Sequence, residues 1–435
     1  MLIEFSVTNF RSIRCKQTLS MVASASCKEH ERHVIVSPVR KTPKQSRFLT
    51  SAVIYGPNAG GKSNLLKALA FMQDFVVTSQ QQMQIYEKIE DIAPFLFSRD
   101  TKPQPSEFEV LFLENDIRYR YGFSADKDIV YSEWLIAYPE GKPQQWFKRK
   151  LILPKKDVYQ WSFSQTNFKG GKIELESWKR NTRPNGLFLA AAVQNGNEQL
   201  LPVFAWLQKK VLQLPNSFFS TIKQWRGQKI DKQKILDFTS SADPSIRNIK
   251  IDTVNVVNHQ HFRKMLSKAP LAIREEILRD QANNKAINIK CAHFDDDQQE
   301  VQLDIEDESD GTQNMFRMAG PLLSVLEEGS VLFIDELDKS LHPELVREII
   351  ALFHNQNINK KSAQLIFSTH DTSLLDKNIF RRDQIWFVEK DSENASKLYP
   401  LTDFEVRKDD IFSKNYLRGR YGAIPYFEGG LIRHE

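Results

Sequence analysis

Apolar residues alternate with polar ones, or run together in short blocks, toward both ends of the chain, with helical spacing between. Leu2-Ile3-Glu4-Phe5-Ser6-Val7 reads as a strand ending at Thr8-Asn9, and Thr50-Ser51-Ala52-Val53-Ile54-Tyr55 as a second strand running into Gly56. Pro38 to Lys44, between them, reads as a basic loop. Beyond Lys62 the spacing of Leu65, Leu66, Leu69, Met72 and Val76 predicts a helix, because these positions share one face at 3.6 residues per turn. Phe108 to Leu153 returns to short alternating runs, such as Phe108-Glu109-Val110-Leu111-Phe112, which predict an antiparallel meander. From Thr166 to Lys285 the pattern is mainly helical, clearest over Leu200 to Leu212 and Ala272 to Gln281, without the sustained heptads of a long coiled coil. The remainder reads strand Val301 to Ile305, helix Thr312 to Leu326, strand Val331 to Ile334, helix Pro343 to Phe353, and strands Gln364 to Phe367 and Gln384 to Val388.

That order predicts an α/β fold: a mixed β-sheet core with flanking helices, an antiparallel β lobe and a mainly helical insertion. The expected division is residues 1–165, an insertion over 166–285, and 286–435. With 435 residues, 41% apolar and 26% charged, the chain has the composition of an ordinary globular protein. Cys15, Cys27 and Cys291 show no CxxC spacing, which argues against a disulfide framework or a zinc site. The longest apolar run, Leu187 to Val193, is far short of the ~18 residues of a membrane span, and Glu4 interrupts any signal peptide, so a cytoplasmic protein without a membrane partner is expected.

Gly56-Pro57-Asn58-Ala59-Gly60-Gly61-Lys62-Ser63 satisfies GxxxxGK[ST] between a predicted strand and a predicted helix, the context the motif requires. Glycines there let successive backbone N–H groups wrap a phosphate chain above a helix N-terminus. Lys62 is expected on the β- and γ-phosphates of ATP and the Ser63 hydroxyl on Mg²⁺, with Asn64 completing the nucleotide-binding stretch. Val331-Leu332-Phe333-Ile334 ends in Asp335-Glu336: Asp335 is expected to support Mg²⁺, and Glu336, pointing elsewhere by strand alternation, to act as general base. His370, at the end of another apolar strand, is placed to sense the γ-phosphate. Ser309-Asp310-Gly311-Thr312-Gln313 opens a helix and offers a hydroxyl, a flexible backbone and a helix N-terminus to an anion.

Phosphate loop, Ser-x-Gly-x-Gln segment, Asp-Glu strand end, the turn Asp338-Lys339-Ser340-Leu341-His342-Pro343 and switch histidine, in that order, resemble the ATP-binding heads of the ABC superfamily. Asn9-Phe10-Arg11-Ser12 and Gly419-Arg420-Tyr421-Gly422 narrow the resemblance to the stand-alone AAA-15/AAA-21 type ATPases of prokaryotic abortive-infection systems, of the Abi-L and Rlo kind, related to SMC-like and OLD-like heads. The resemblance implies an ABC-type ATPase head split around the insertion. It further implies catalysis by Glu336, His370, Lys62 and Asp335, and a homo-oligomer in which two heads sandwich ATP, Ser309 and Gly311 of one chain meeting the γ-phosphate held by Lys62 of the other. Where transporters have Leu-Ser-Gly-Gly-Gln, this chain has Glu308-Ser309-Asp310-Gly311-Thr312. Gln80, Gln81, Gln82 and Gln104 are all candidates for the glutamine that links nucleotide to the moving lobe.

OLD-like nucleases carry a TOPRIM domain after such a head, but only 65 residues follow His370, without an Asp-x-Asp pair. The expectation is therefore an ATPase without nuclease activity, controlling a separately encoded effector, a TOPRIM-like nuclease, in an anti-phage system triggered by DNA or a phage protein. The alternative is an SMC-like repair or chromosome-maintenance ATPase acting on DNA directly. Residues 141–235 hold 18 Lys and Arg against 5 Asp and Glu, interleaved with five tryptophans, which suits nucleic acid or a solvated face over buried tryptophans. Residues 295–310 hold nine carboxylates and no Lys or Arg, and Asp295-Asp296-Asp297 reads as an exposed hairpin in preference to a metal site.

Overall fold

The computed structural model describes residues 1–36, 47–153, 157–215, 217–227, 230–255, 285–407 and 410–425. The basic loop at Pro38 to Lys44 and the helix predicted over Ala272 to Gln281 lie outside them. Contacts divide the chain into two units, one of Met1–Leu214, Val325–Lys339 and Val346–Glu435, the other of Pro215–Ser324 and Ser340–Leu345.

The first unit holds two larger sheets. One has six strands in the order Val211–Gln213, Val331–Ile334, Gln364–Ser368, Ser51–Tyr55, Ile385–Lys390 and Ser396–Pro400, all parallel except the last. Its central strands are buried along their whole length, and mostly apolar, because both faces are covered, as parallel sheets require. The second sheet is antiparallel, in the order Val158–Phe163, Gln144–Leu153, Val130–Tyr138, Ile117–Ala125, Ser106–Glu114, Leu2–Thr8 and Gln17–Ser20, which bears out the meander. Helix Lys62–Thr78 packs on it through Phe71, which meets Phe108 at a centroid distance of 4.9 Å, with Phe10 and Phe123 at 5.4 and 5.3 Å from Phe108. Each such ring buried contributes about 1.5–3 kcal/mol, so the helix that carries the phosphate loop is anchored along its length.

Two local expectations give way. The helix predicted over Leu200 to Leu212 ends at Lys209, and Val211–Gln213 becomes an edge strand paired with Val331–Phe333. An apolar run of this length fits strand or helix, and pairing with the open sheet edge decides it. Residues 166–214, read as the start of the insertion, pack with the first unit.

The second unit contains a three-stranded antiparallel sheet, Asn248–Asn255, Lys285–Phe294 and Glu300–Asp304, where the sequence read as mainly helical up to Lys285. Its core gathers Ile222, Trp225, Ile235, Ile249, Cys291 and Phe316. Asp295 closes the hairpin, its carboxylate accepting from the N–H groups of Asp297 and Gln299 at 3.0 and 2.8 Å.

At the amino end of the central strand Ser51–Tyr55, three imidazoles stack. His30 and His33 lie 4.8 Å apart, and His33 and His354 3.7 Å apart. His33 Nδ1 meets Gln384 Oε1 at 3.0 Å, and His354 Nε2 meets Ser51 Oγ at 2.8 Å. His33 and His354 are buried, and burial pushes the His33 imidazole down to about 4 and that of His354 well below its usual range.

Candidate functional site

Sheet register sets the site. Ile334 pairs with Phe367 and Phe367 with Val53, so the carboxyl ends of strands Val331–Ile334, Gln364–Ser368 and Ser51–Tyr55 lie level. The segments that follow are Asp335-Glu336, Thr369-His370 and the Gly56 loop, and ligands of open parallel sheets bind at this carboxyl edge. Residues 57–64, Glu336 and His370 line one cavity of about 170 Å³.

The loop turns tightly. Gly60 N–H donates to the Pro57 carbonyl at 3.1 Å, and Asn64 N–H to that of Gly61 at 3.0 Å. Gly61 has φ +117°, and a β-carbon there would stand 2.1 Å from Ser396 Oγ, so position 61 requires glycine. Lys62 is buried and curls back, its Nζ donating to the carbonyls of Gly56 at 2.8 Å and Pro57 at 3.2 Å. Burial lowers the Lys62 ammonium below its usual range, opposed by the charges of Asp335, Glu336 and Asp338. Ser63 sits half-buried in the first turn of the helix.

Asp335 and Glu336 are exposed beyond the strand end, and Glu336 takes φ +54°. The divergence of the two side chains therefore comes from a left-handed turn in place of strand alternation. Ser368 fixes that turn: its hydroxyl donates to Asp335 Oδ1 at 2.5 Å and accepts from Glu336 N–H at 2.8 Å. Asp338 accepts from His370 N–H at 3.2 Å, and His370 Nε2 lies 3.9 Å from Glu336 Oε1.

Beneath the loop lies a serine network without a sequence signal of its own. Ser396 Oγ donates at 2.7 Å to the Gly60 carbonyl and lies 2.8 Å from Ser12 Oγ, while Asn64 Nδ2 donates to Ser12 Oγ at 2.7 Å. Ser12 closes the Asn9-Phe10-Arg11-Ser12 motif. Asn9 donates to the carbonyls of Thr101 and Gln104 at 2.9 and 2.8 Å and accepts from Phe95 N–H. None of Gln80, Gln81, Gln82 and Gln104 lines the 170 Å³ cavity.

Ser309 and Gly311 belong to the other unit. Ser309 caps helix Asp310–Glu328, its Oγ accepting from Thr312 N–H at 3.2 Å. Glu308, just before it, is held by His293 Nε2 at 2.8 Å, and His293 Nδ1 meets Ser245 Oγ at 2.9 Å.

The donor set fits a nucleoside triphosphate with Mg²⁺. The loop leaves a cradle that a β-carbon at Gly61 would disrupt, the Lys62 ammonium is buried beside it, and a hydroxyl at Ser63 and a carboxylate at Asp335 are oxygen donors of the hard type Mg²⁺ prefers. A cavity of 170 Å³ is smaller than the ~300–1,000 Å³ that encloses a whole ligand of nucleotide size, so it suits the phosphates alone.

Among solved structures, the chain is similar to the SMC head domain from Thermotoga maritima, with 14% identity, 93% of this chain and 99% of that one covered, and a TM-score of 0.37. It is similar also to an Smc head bound to the C-terminal winged-helix domain of ScpA (12% identity, 92% and 97% covered, TM-score 0.40) and to an Smc head with an extended coiled coil bound to the C-terminal domain of ScpA from Pyrococcus furiosus (11%, 92% and 96%, TM-score 0.40). No curated protein sequence matches it. Residues 51–376 match the family model AAA-21, described as "AAA domain, putative AbiEii toxin, Type IV TA system". That match spans well over half of the sequence and contains the phosphate loop, Ser309, Asp335, Glu336 and His370, and the chain belongs to this family of AAA-domain proteins.

Proposed function

We propose that the protein is a Mg²⁺-dependent ATPase whose heads associate around ATP and control a separately encoded effector, a TOPRIM-like nuclease, in an anti-phage system. The observation that carries the enzymatic part is the convergence of Lys62, Glu336 and His370 on one phosphate-sized cavity. Ser63 and Asp335 would hold Mg²⁺, which supplies charge neutralisation on the β- and γ-phosphates. Lys62 leaves the Gly56 and Pro57 carbonyls to pair with phosphate oxygens. Glu336 accepts the proton of the attacking water, and His370, 3.9 Å from it, meets the γ-phosphate edge. A cavity that covers phosphates alone leaves room for a second surface over the nucleotide. By resemblance that surface is Ser309 and Gly311 of a partner head.

Lys62→Ala should lose nucleotide binding, while Glu336→Gln should bind ATP yet hydrolyse it roughly 10²- to 10⁴-fold more slowly. Ser309→Arg should retain binding of a fluorescent ATP analogue and lose ATP-dependent association in analytical ultracentrifugation. Unchanged turnover in Glu336→Gln removes the assignment of the base. The two-gene reading is supported by a family description that names a toxin–antitoxin system. It predicts that the chain expressed alone leaves plasmid and tRNA intact, and cleavage by the purified single chain overturns it.

A further inference from the structure

We propose that the outward face of four neighbouring strands in the antiparallel sheet binds the backbone of duplex DNA. The argument is one of register. Direct cross-strand partners project to the same side of a sheet. Gly122 pairs with Trp134, Trp134 with Lys148 and Lys148 with Ser162; Ser132 pairs with Lys150 and Lys150 with Gln160; Arg120 pairs with Ile136 and Arg118 with Tyr138. The face across Ile117–Ala125, Val130–Tyr138, Gln144–Leu153 and Val158–Phe163 thus presents Arg118, Arg120, Lys148 and Lys150, and these four strands add no carboxylate of their own to it. The acidic residue on these strands, Glu133, points the other way and is fully buried against Arg149. Carboxylates on the outward side begin at the next strand, where Glu109 accepts from Arg120 at 3.3 Å.

Lys148 and Lys150 are exposed and make no ion pair among the described residues. Two residues apart on a strand, they stand about 6.6–6.8 Å from each other, and four strands span about 14 Å, a broad surface suited to a phosphate backbone. The aromatic side chains on the face are already engaged. Trp134 lies against Gly122, where a β-carbon would stand 2.4 Å from the indole, and donates Nε1–H to Glu109 at 3.0 Å. Arg118 sits over the Tyr138 ring at 4.0 Å. Rings held in this way do not open to stack on unpaired bases, so the face reads charge, which favours duplex over single strand.

This inference is independent of the ATP site. The test is fluorescence-anisotropy titration of the full chain with a 30-bp duplex and a single strand of the same sequence, over a series of salt concentrations. The parent should bind the duplex, and Lys148→Ala with Lys150→Ala should flatten the log–log salt slope by about 0.9 per lost contact, about 1.8 in all. Lys148→Glu with Lys150→Glu should abolish binding with the circular dichroism spectrum and melting temperature kept. Lys360→Ala with Lys361→Ala, the same charge removed away from the sheet, should leave the slope unchanged. No duplex binding at low salt, preference for the single strand, or an equal slope change in the Lys360/Lys361 control overturns the proposal.

Discussion

Gly61 and Ser396 show how little freedom the phosphate loop has. Ser396 touches both the space a β-carbon at position 61 would need and the Gly60 carbonyl, while Ser12 joins it to Asn64 on the helix. Gly61→Ala should therefore abolish ATP binding. Ser396→Ala should weaken binding about five-fold, the worth of one hydrogen bond of about 1 kcal/mol, and raise KM more than it lowers kcat. A double-mutant cycle with Ser12→Ala, read by isothermal titration calorimetry, should give non-additive losses because both side chains belong to one network. Local sequence revealed Lys62 and Ser63 because the motif is contiguous. It did not reveal Ser396 or Ser368, which reach the loop and Asp335 only through strand neighbours distant in the chain.

At the level of strands and helices, Glu133 and Arg149 decide how the antiparallel lobe is closed. Their side chains are fully buried, 3.0 Å apart, and Glu133 also accepts from Phe188 and Leu189 N–H groups at the start of helix Phe188–Gln194. Arg149 alone of the basic run 148–150 is thus structural, and its partners include the rings of Tyr159 and Trp161. Arg149→Met should destabilise by about 3–5 kcal/mol, since it leaves a carboxylate buried without its counter-charge, and the additional change Glu133→Leu should recover part of that loss in urea unfolding. The meander was legible because alternation has a period of two. Four of the five tryptophans in the basic segment, Trp146, Trp178, Trp206 and Trp225, are buried, so these rings belong to the core and are not free to stack on bases. Strand Asn248–Asn255 was not legible, because its partner Lys285–Phe294 lies about thirty residues downstream and pairing at that distance leaves no local pattern.

For the molecule as a whole, the sequence motifs point to the carboxyl ends of the parallel strands, where the structure brings the Gly56 loop, Glu336 and His370 together, whereas nothing in the sequence points to the amino end, because scattered histidines carry no periodicity. The stack of His30, His33 and His354 sits at the foot of the strand that leads to the phosphate loop. The folded chain holds His33 uncharged down to about pH 4, whereas an unfolded histidine takes up a proton near its ordinary value of 6.5. Between those limits the unfolded state binds more protons, so stability is fully present above pH 6.5 and drains away as pH falls toward 4. Melting temperature should fall across that window, and His33→Gln should flatten the slope by removing one titrating site. Acidification would thus cost the folded state stability through a buried stack at one end of the very strand whose other end runs into the Gly56 loop, so acid tolerance and the loop share a single element.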